Sequence, residues 1–202
     1  MKISPLDRIF LLAASLLAAY QVAVGIDGLG SFTILCYTIG FGVILVACLL
    51  MILLGFDVLE SPLVVILSTI IPLSLSTGLI SEFFPVRLAA YLVFAGLGFL
   101  VVILTRAVWR VKISIVVLAF VHGVAGLVIF GLPVYLAVTG TTQAGFSLVG
   151  VGGALIGLGG LLLFFMRAGI PILSKEQIIK IFPVLLLLTT AAFVAGFVLA
   201  KT

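Results

Sequence analysis

One histidine, His122, stands near the middle of an apolar run from Val111 to Val138. An imidazole titrates close to pH 6.5, so at membrane depth it is a group that relays protons or senses pH. Ala119, Gly123, Ala125 and Gly126 surround it, whereas Val117, Phe120, Val124 and Leu127 occupy the opposite side of the helix. The ring is thus expected to face a neighbouring helix or a cavity, as a proton-handling group or as a neutral side chain bonded to a carbonyl or hydroxyl of an adjacent helix.

A second set lies upstream. Ser68, Thr69, Pro72 and Ser76 project within about 100° of one another on a helix, with Ser74, Thr77 and Ser81 on the other side. Pro72 has no N–H for the carbonyl of Ser68, which predicts a kink unless a hydroxyl or water pairs the freed oxygen. His122, Ser68, Thr69, Pro72 and Ser76 are therefore the candidates for a transport path. The alternative is that the hydroxyls simply bond back to carbonyls one turn earlier.

Other chemistries lack their residues. Zinc has no ligand set, because there is one histidine and the two cysteines, Cys36 and Cys48, are twelve apart in one apolar run and suggest no disulfide. Bis-histidine haem is excluded by count, and Met51 and Met166 lie near span ends. No lysine stands in mid-membrane in the last span to anchor a retinal Schiff base, and no Gly-x-Ser-x-Gly elbow, Walker loop or close carboxylate pair occurs. No catalytic residue, metal or cofactor is expected, and the chain does not read as an enzyme.

The elements that position these residues follow from composition. Apolar residues make up 65% and charged residues 8% of the chain, with a mean hydropathy of +1.58. A soluble domain has about 45–50% and about 25%, so a water-facing surface could not be built here. A bilayer core about 30 Å thick needs about 20 apolar residues of helix. Residues 1–202 thus read as one all-α integral membrane domain, a helix bundle of seven spans at about 6–25, 32–56, 62–80, 85–104, 111–138, 146–166 and 178–199.

Ser4, Pro5 and Asp7 read as N-cap, first residue and N3 carboxylate of the first helix, which is expected to be retained and not cleaved as a signal peptide. Asp27 falls in the turn before the second span. Ser61-Pro62 and Pro85 open the third and fourth spans, and Ser174 with Gln177 forms a capping box for the last. Trp109, among basic residues, has the position of an interfacial anchor. Asp27, Asp57, Glu60 and Glu82 lie near span ends and are expected to be solvated.

With the N-terminus cytoplasmic and the C-terminus outside, Lys2, Arg8, Arg106, Arg110, Lys112, Arg167, Lys175 and Lys180 fall inside, leaving only Arg87 and Lys201 of the 10 basic residues outside. The net charge of +4 then reads as a topology signal and contact with anionic lipid, not as nucleic-acid binding. The expected location is the cell membrane.

In the sixth span Gly150, Gly153, Gly157 and Gly160 fall within about 80° of one another and leave one face nearly bare. Bare faces let helices approach closely, so these four, with Gly123 and Gly126, are expected to pack helices or, less simply, to line a substrate path. A shift of about 114 residues brings Phe32-Thr33-Ile34 onto Phe146-Ser147-Leu148 and Gly55 onto Gly169; one of about 111 brings Pro72 onto Pro183. These matches point to a weak parallel repeat of three spans, a linker and three spans, the alternative being chance, since apolar sequences match one another easily. The arrangement is similar in outline to that of sugar-transporting seven-helix proteins, with no motif of theirs to carry a residue across.

Two functions fit. In one, the chain is a permease or channel-like transporter of a small solute or ion, with a path near the fifth and third spans. In the other it is a non-catalytic subunit or assembly factor whose glycine faces dock partner membrane subunits or further copies of itself.

Overall fold

The computed structural model describes residues 3–26, 28–108 and 113–200. All regular structure among them is helical: α1 (Pro5–Val24), α2 (Ser31–Leu54), α3 (Pro62–Phe83), α4 (Leu88–Ile103), α5 (Ser114–Val138), α6 (Ser147–Arg167) and α7 (Lys175–Leu199). A 3-10 turn, Pro85–Arg87, leads into α4, and a π-helical turn, Leu104–Val108, continues it. Seven helices are long and apolar enough to cross a membrane. The roles expected of Lys2, Asp27, Trp109, Arg110, Val111, Lys112 and Lys201, and of the Arg167 side chain, lie outside the described residues.

Helix ends follow local chemistry. At α1 the Asp7 N–H donates to Ser4 Oγ at 3.1 Å, and the Ser4 N–H donates to Asp7 Oδ2 at 3.0 Å. At α7 the Gln177 N–H donates to Ser174 Oγ at 3.2 Å, and the Ser174 N–H to Gln177 Oε1 at 2.9 Å. Each box satisfies two of the donors that a helix start leaves without partners. Ser61 is the N-cap of α3 by position, yet its hydroxyl makes no capping bond. After α5, Gly140 takes φ of 71°, and the N–H groups of Gly140 and Thr141 return to Ala137 O and Leu136 O at 3.2 and 2.9 Å. This is the Schellman closure, which a residue with a Cβ adopts only at a cost.

Six helices close into a ring in the order α1, α2, α3, α5, α6, α7, with α7 returning to α1. Helix α4 stays outside it, packed on α3 and α5. The ring is filled by Leu11, Phe41, Ile44, Leu79, Phe193 and Phe197, all buried. A smaller core of Ile66, Leu73, Val102, Val121 and Ala125 joins α3, α4 and α5.

Outside, the pattern of a water-soluble protein is reversed. Phe120 is 64% and Leu127 70% exposed, while the hydroxyl residues Thr69, Ser76 and Thr190 are fully buried. Apolar surface this continuous belongs against hydrocarbon, not water. In hydrocarbon, burying apolar area does not draw helices together, so close backbone approach must do so.

Helix α6 supplies that approach on two sides. A Cβ on Gly150 would lie 2.7 Å from Phe130 O, and one on Gly153 would lie 2.9 Å from Phe130 N, both on α5. Towards α7, a Cβ on Gly152 would meet Phe193 Cδ1 at 2.5 Å, and one on Gly196 would meet Val149 N at 2.6 Å.

Candidate functional site at one mouth of the helix ring

The turn between α1 and α2, the end of α3, the turn between α5 and α6 and the end of α7 gather at one end of the ring. Between them lies a cavity of about 710 Å³, within the usual range for sites that take small molecules. Its aromatic lining comes from Tyr37, Phe83, Phe146 and Phe197. The polar lining includes Glu82, Thr142 and Gln143, and Glu82 is the one charged side chain among the described lining residues.

The aromatic rings form a chain of tilted contacts at this mouth. Tyr37 and Phe197 lie with centroids 4.6 Å apart, Phe146 and Phe197 at 6.1 Å, and Phe83 and Phe146 at 5.4 Å. Below them Phe41 meets Phe193 edge-on at 6.3 Å. Such tilted and edge-on contacts are the favoured geometries for aromatic pairs. Tyr37 is the pivot: a Cβ on Gly78 of α3 would fall 2.6 Å from its Cε1, so α3 presses on the ring where α7 stacks on it.

Tyr37 also lines a second, much smaller space of about 10 Å³ with Gln21, Gly25, Thr38 and Phe41. Gln21 is 5% exposed and donates from Nε2 to Gly25 O at 2.9 Å. Gln21 Oε1, and Thr142 Oγ1 on the large cavity, are buried without a hydrogen-bond partner among the described residues. Buried polar atoms left in this condition are few in folded proteins, and each calls for an explanation. Glu82 is half-buried, near enough for its charge to act on the Tyr37 phenol. The Thr33 hydroxyl donates to Ser81 Oγ at 3.2 Å and ties α2 to α3 at this mouth.

The residues singled out from sequence lie elsewhere. His122 is half-buried on α5, with Nδ1 3.0 Å from Leu118 O, so the ring donates back to its own helix, not to an adjacent one. The Arg106 charge acts on it from the end of α4, and Arg106 Nε and Nη2 are withdrawn from the surface.

On α3, the most buried helix, Ser68 and Thr69 both donate to Val65 O, at 2.9 and 3.0 Å. Ser76 donates to Pro72 O and accepts from the Tyr91 hydroxyl of α4 at 2.7 Å. Ser74 and Thr77 also bond back to carbonyls one turn earlier. Helix α3 runs uninterrupted through Pro72. Neither of the two cavities is lined by His122, Ser68, Thr69, Pro72 or Ser76.

Of the six glycines expected to pack, Gly150 and Gly153 meet α5, whereas a Cβ on Gly123, Gly126, Gly157 or Gly160 would meet nothing within 4 Å. Cys36 and Cys48 are buried free thiols, and no group of three possible metal ligands occurs among the described residues. At the opposite end of the bundle, exposed Lys175 pairs with exposed Glu60, joining the start of α7 to the turn before α3.

Glu82, Tyr37 and Gln21 were not legible as a site. Glu82 has the sequence context of a solvated span end, Tyr37 that of a core aromatic, and Gln21 is a lone amide in an apolar helix. The one available signal was the run Thr141-Thr142-Gln143 in a turn, which is polar like many turns. No protein-family model matches the chain, and no curated protein or solved structure matches it either.

Proposed function

We propose that this chain is a permease or channel-like transporter of the cell membrane, admitting a small solute along the axis of the six-helix ring. The observation that carries this reading is the open cavity of about 710 Å³ among the helix ends at one mouth of the ring. A bundle serving only as a scaffold has no need of a chamber this large among its helix ends.

The distribution of basic residues supports a sidedness for the chamber. Taking the N-terminus as cytoplasmic, the end carrying Lys175 and Lys180 faces inward and the cavity faces out. The stacked rings of Tyr37, Phe197 and Phe146 then close the route below the chamber, and their displacement would open it.

The ring order also supports the proposed repeat. Exchanging α1, α2 and α3 for α5, α6 and α7 maps the ring onto itself, the α3–α5 contact onto α7–α1, and leaves α4 outside as the linker. This is the symmetry of parallel repeats about an axis along the membrane normal.

The test is solute entry into proteoliposomes. Swelling with at least one small osmolyte is expected to exceed that of protein-free vesicles, and to stop when a bulky thiol reagent is attached to Thr142→Cys. His122→Ala is expected to keep the flux. Absence of flux for neutral, cationic and anionic osmolytes alike would refute the proposal.

The subunit reading keeps one specific observation. Gly123 and Gly126 on α5, with Gly157 and Gly160 on α6, leave backbone uncovered. That is the surface on which a partner helix would seat. It predicts co-purification with a membrane partner at fixed stoichiometry, lost in Gly157→Leu.

A further inference from the structure

We infer that the chamber is a binding site for a small protonated amine. The inference rests on the permease reading and adds the chemical class of its solute. Three independent features select that class.

Charge is the first. Glu82 contributes the one formal charge among the described lining residues, and no described Lys or Arg lines the cavity. Arg87, which follows on the same end, is exposed and does not line it. A carboxylate beside a half-enclosed apolar space attracts a cation more strongly than it would in bulk water.

Aromatic lining is the second. Tyr37, Phe83, Phe146 and Phe197 all line one cavity, the first, third and fourth of them largely buried against one another. An ammonium within about 6 Å of a ring centroid is held by the ring quadrupole, most strongly when desolvated. A carboxylate or phosphate ligand would be repelled by the Glu82 charge. A hydrated alkali ion, which keeps its water shell, gains little from the rings.

Hydrogen bonding is the third. Thr142 Oγ1 and Gln21 Oε1 are buried and have no partner among the described residues, the first on a residue that lines the chamber and the second on a residue that lines the small space behind Tyr37. Gln21 is 95% withdrawn from solvent by the complement of its 5% exposure, and its Nε2 is already engaged with Gly25 O. What remains is an acceptor, and the ligand class that supplies both a positive charge and N–H donors is R–NH₃⁺. Glu82 and the rings hold the amine in the chamber; Gln21 Oε1 receives an N–H when Tyr37 gives way.

Purified full-length protein in mild detergent is titrated calorimetrically with propylammonium, propanol, propionate, tetramethylammonium and potassium. Saturable binding is expected for propylammonium, weaker binding for tetramethylammonium, which has no N–H, and none for the other three. Glu82→Gln is expected to weaken propylammonium about tenfold, or about 1.4 kcal/mol, with Glu82→Asp retaining most of it. Gln21→Leu is expected to remove the preference for propylammonium over tetramethylammonium.

Equal binding of propanol or potassium would overturn the inference, as would unchanged affinity in a folded Glu82→Gln protein. Flux of methylammonium is then measured in proteoliposomes. Binding without flux of any solute would leave the amine site standing and sink the permease reading. Flux of another solute without amine binding would do the reverse.

Discussion

Replacing Gly153 by alanine tests whether close backbone contact holds α6 in the ring. The new Cβ would lie 2.9 Å from Phe130 N and from Ile129 Cγ2, and 3.0 Å from Ile129 C. Carbon and nitrogen atoms rest comfortably at about 3.5–4 Å, so α5 and α6 must separate by roughly 0.5–1 Å. Two of the three obstructing atoms are backbone, and a rotamer change cannot move them. Overpacking of this kind costs about 1–3 kcal/mol.

Alanine also raises helix propensity by about 1 kcal/mol in water, but less here, because the unfolded state of a membrane helix remains helical in lipid. The net expectation is a loss of about 1–2 kcal/mol. Gly157, one turn further along the same helix, is the internal control: its Cβ would meet nothing within 4 Å. Gly157→Ala is expected to be neutral or stabilising by up to about 1 kcal/mol. Both are measured by equilibrium unfolding in mixed micelles of a mild detergent and dodecyl sulfate, followed by near-ultraviolet circular dichroism. Equal effects at the two positions, or the opposite order, would refute the assignment of the α5–α6 seam.

The helix starts give a second contrast. Ser174→Ala removes one side of a formed capping box and is expected to cost about 1 kcal/mol, whereas Ser61→Ala, where no side-chain cap bond exists, is expected to stay within about 0.5 kcal/mol; thermal unfolding in detergent reads both. Tyr91→Phe deletes the 2.7 Å bond to Ser76 that fastens α4 to α3, with an expected loss of about 0.5–1.5 kcal/mol in the same assay. An unchanged midpoint would mean that apolar contact alone holds α4.

Much of the fold was written in local chemistry. Seven apolar stretches of helical length are read directly from hydropathy, because a bilayer of fixed thickness sets both length and polarity. Ser4 with Asp7 and Ser174 with Gln177 were legible as helix starts, since a capping box involves residues only three apart. Gly150 and Gly153 were legible as a bare face. Their partner was not: the face towards α7, carrying Gly152, is equally bare, and nothing local says which neighbour each one meets. As donors, the hydroxyls of Ser68, Thr69, Ser74, Ser76 and Thr77 and the imidazole of His122 bond back to carbonyls of their own helices, one of the two arrangements their spacing allowed. The chamber was hidden because its wall is drawn from four separated parts of the chain.

By itself the sequence determined the medium, the helices and their ends. Each of these depends on composition or on residues within one turn of one another. Only the tertiary structure decided that six helices close into a ring, that α4 stays outside it, and that Glu82 and four aromatic residues line a shared cavity. The reason is the solvent. In water the hydrophobic face of a helix identifies its inner side, but in lipid the inner and outer faces are both apolar, so Leu127 against hydrocarbon and Leu79 in the core read alike until the helices are packed.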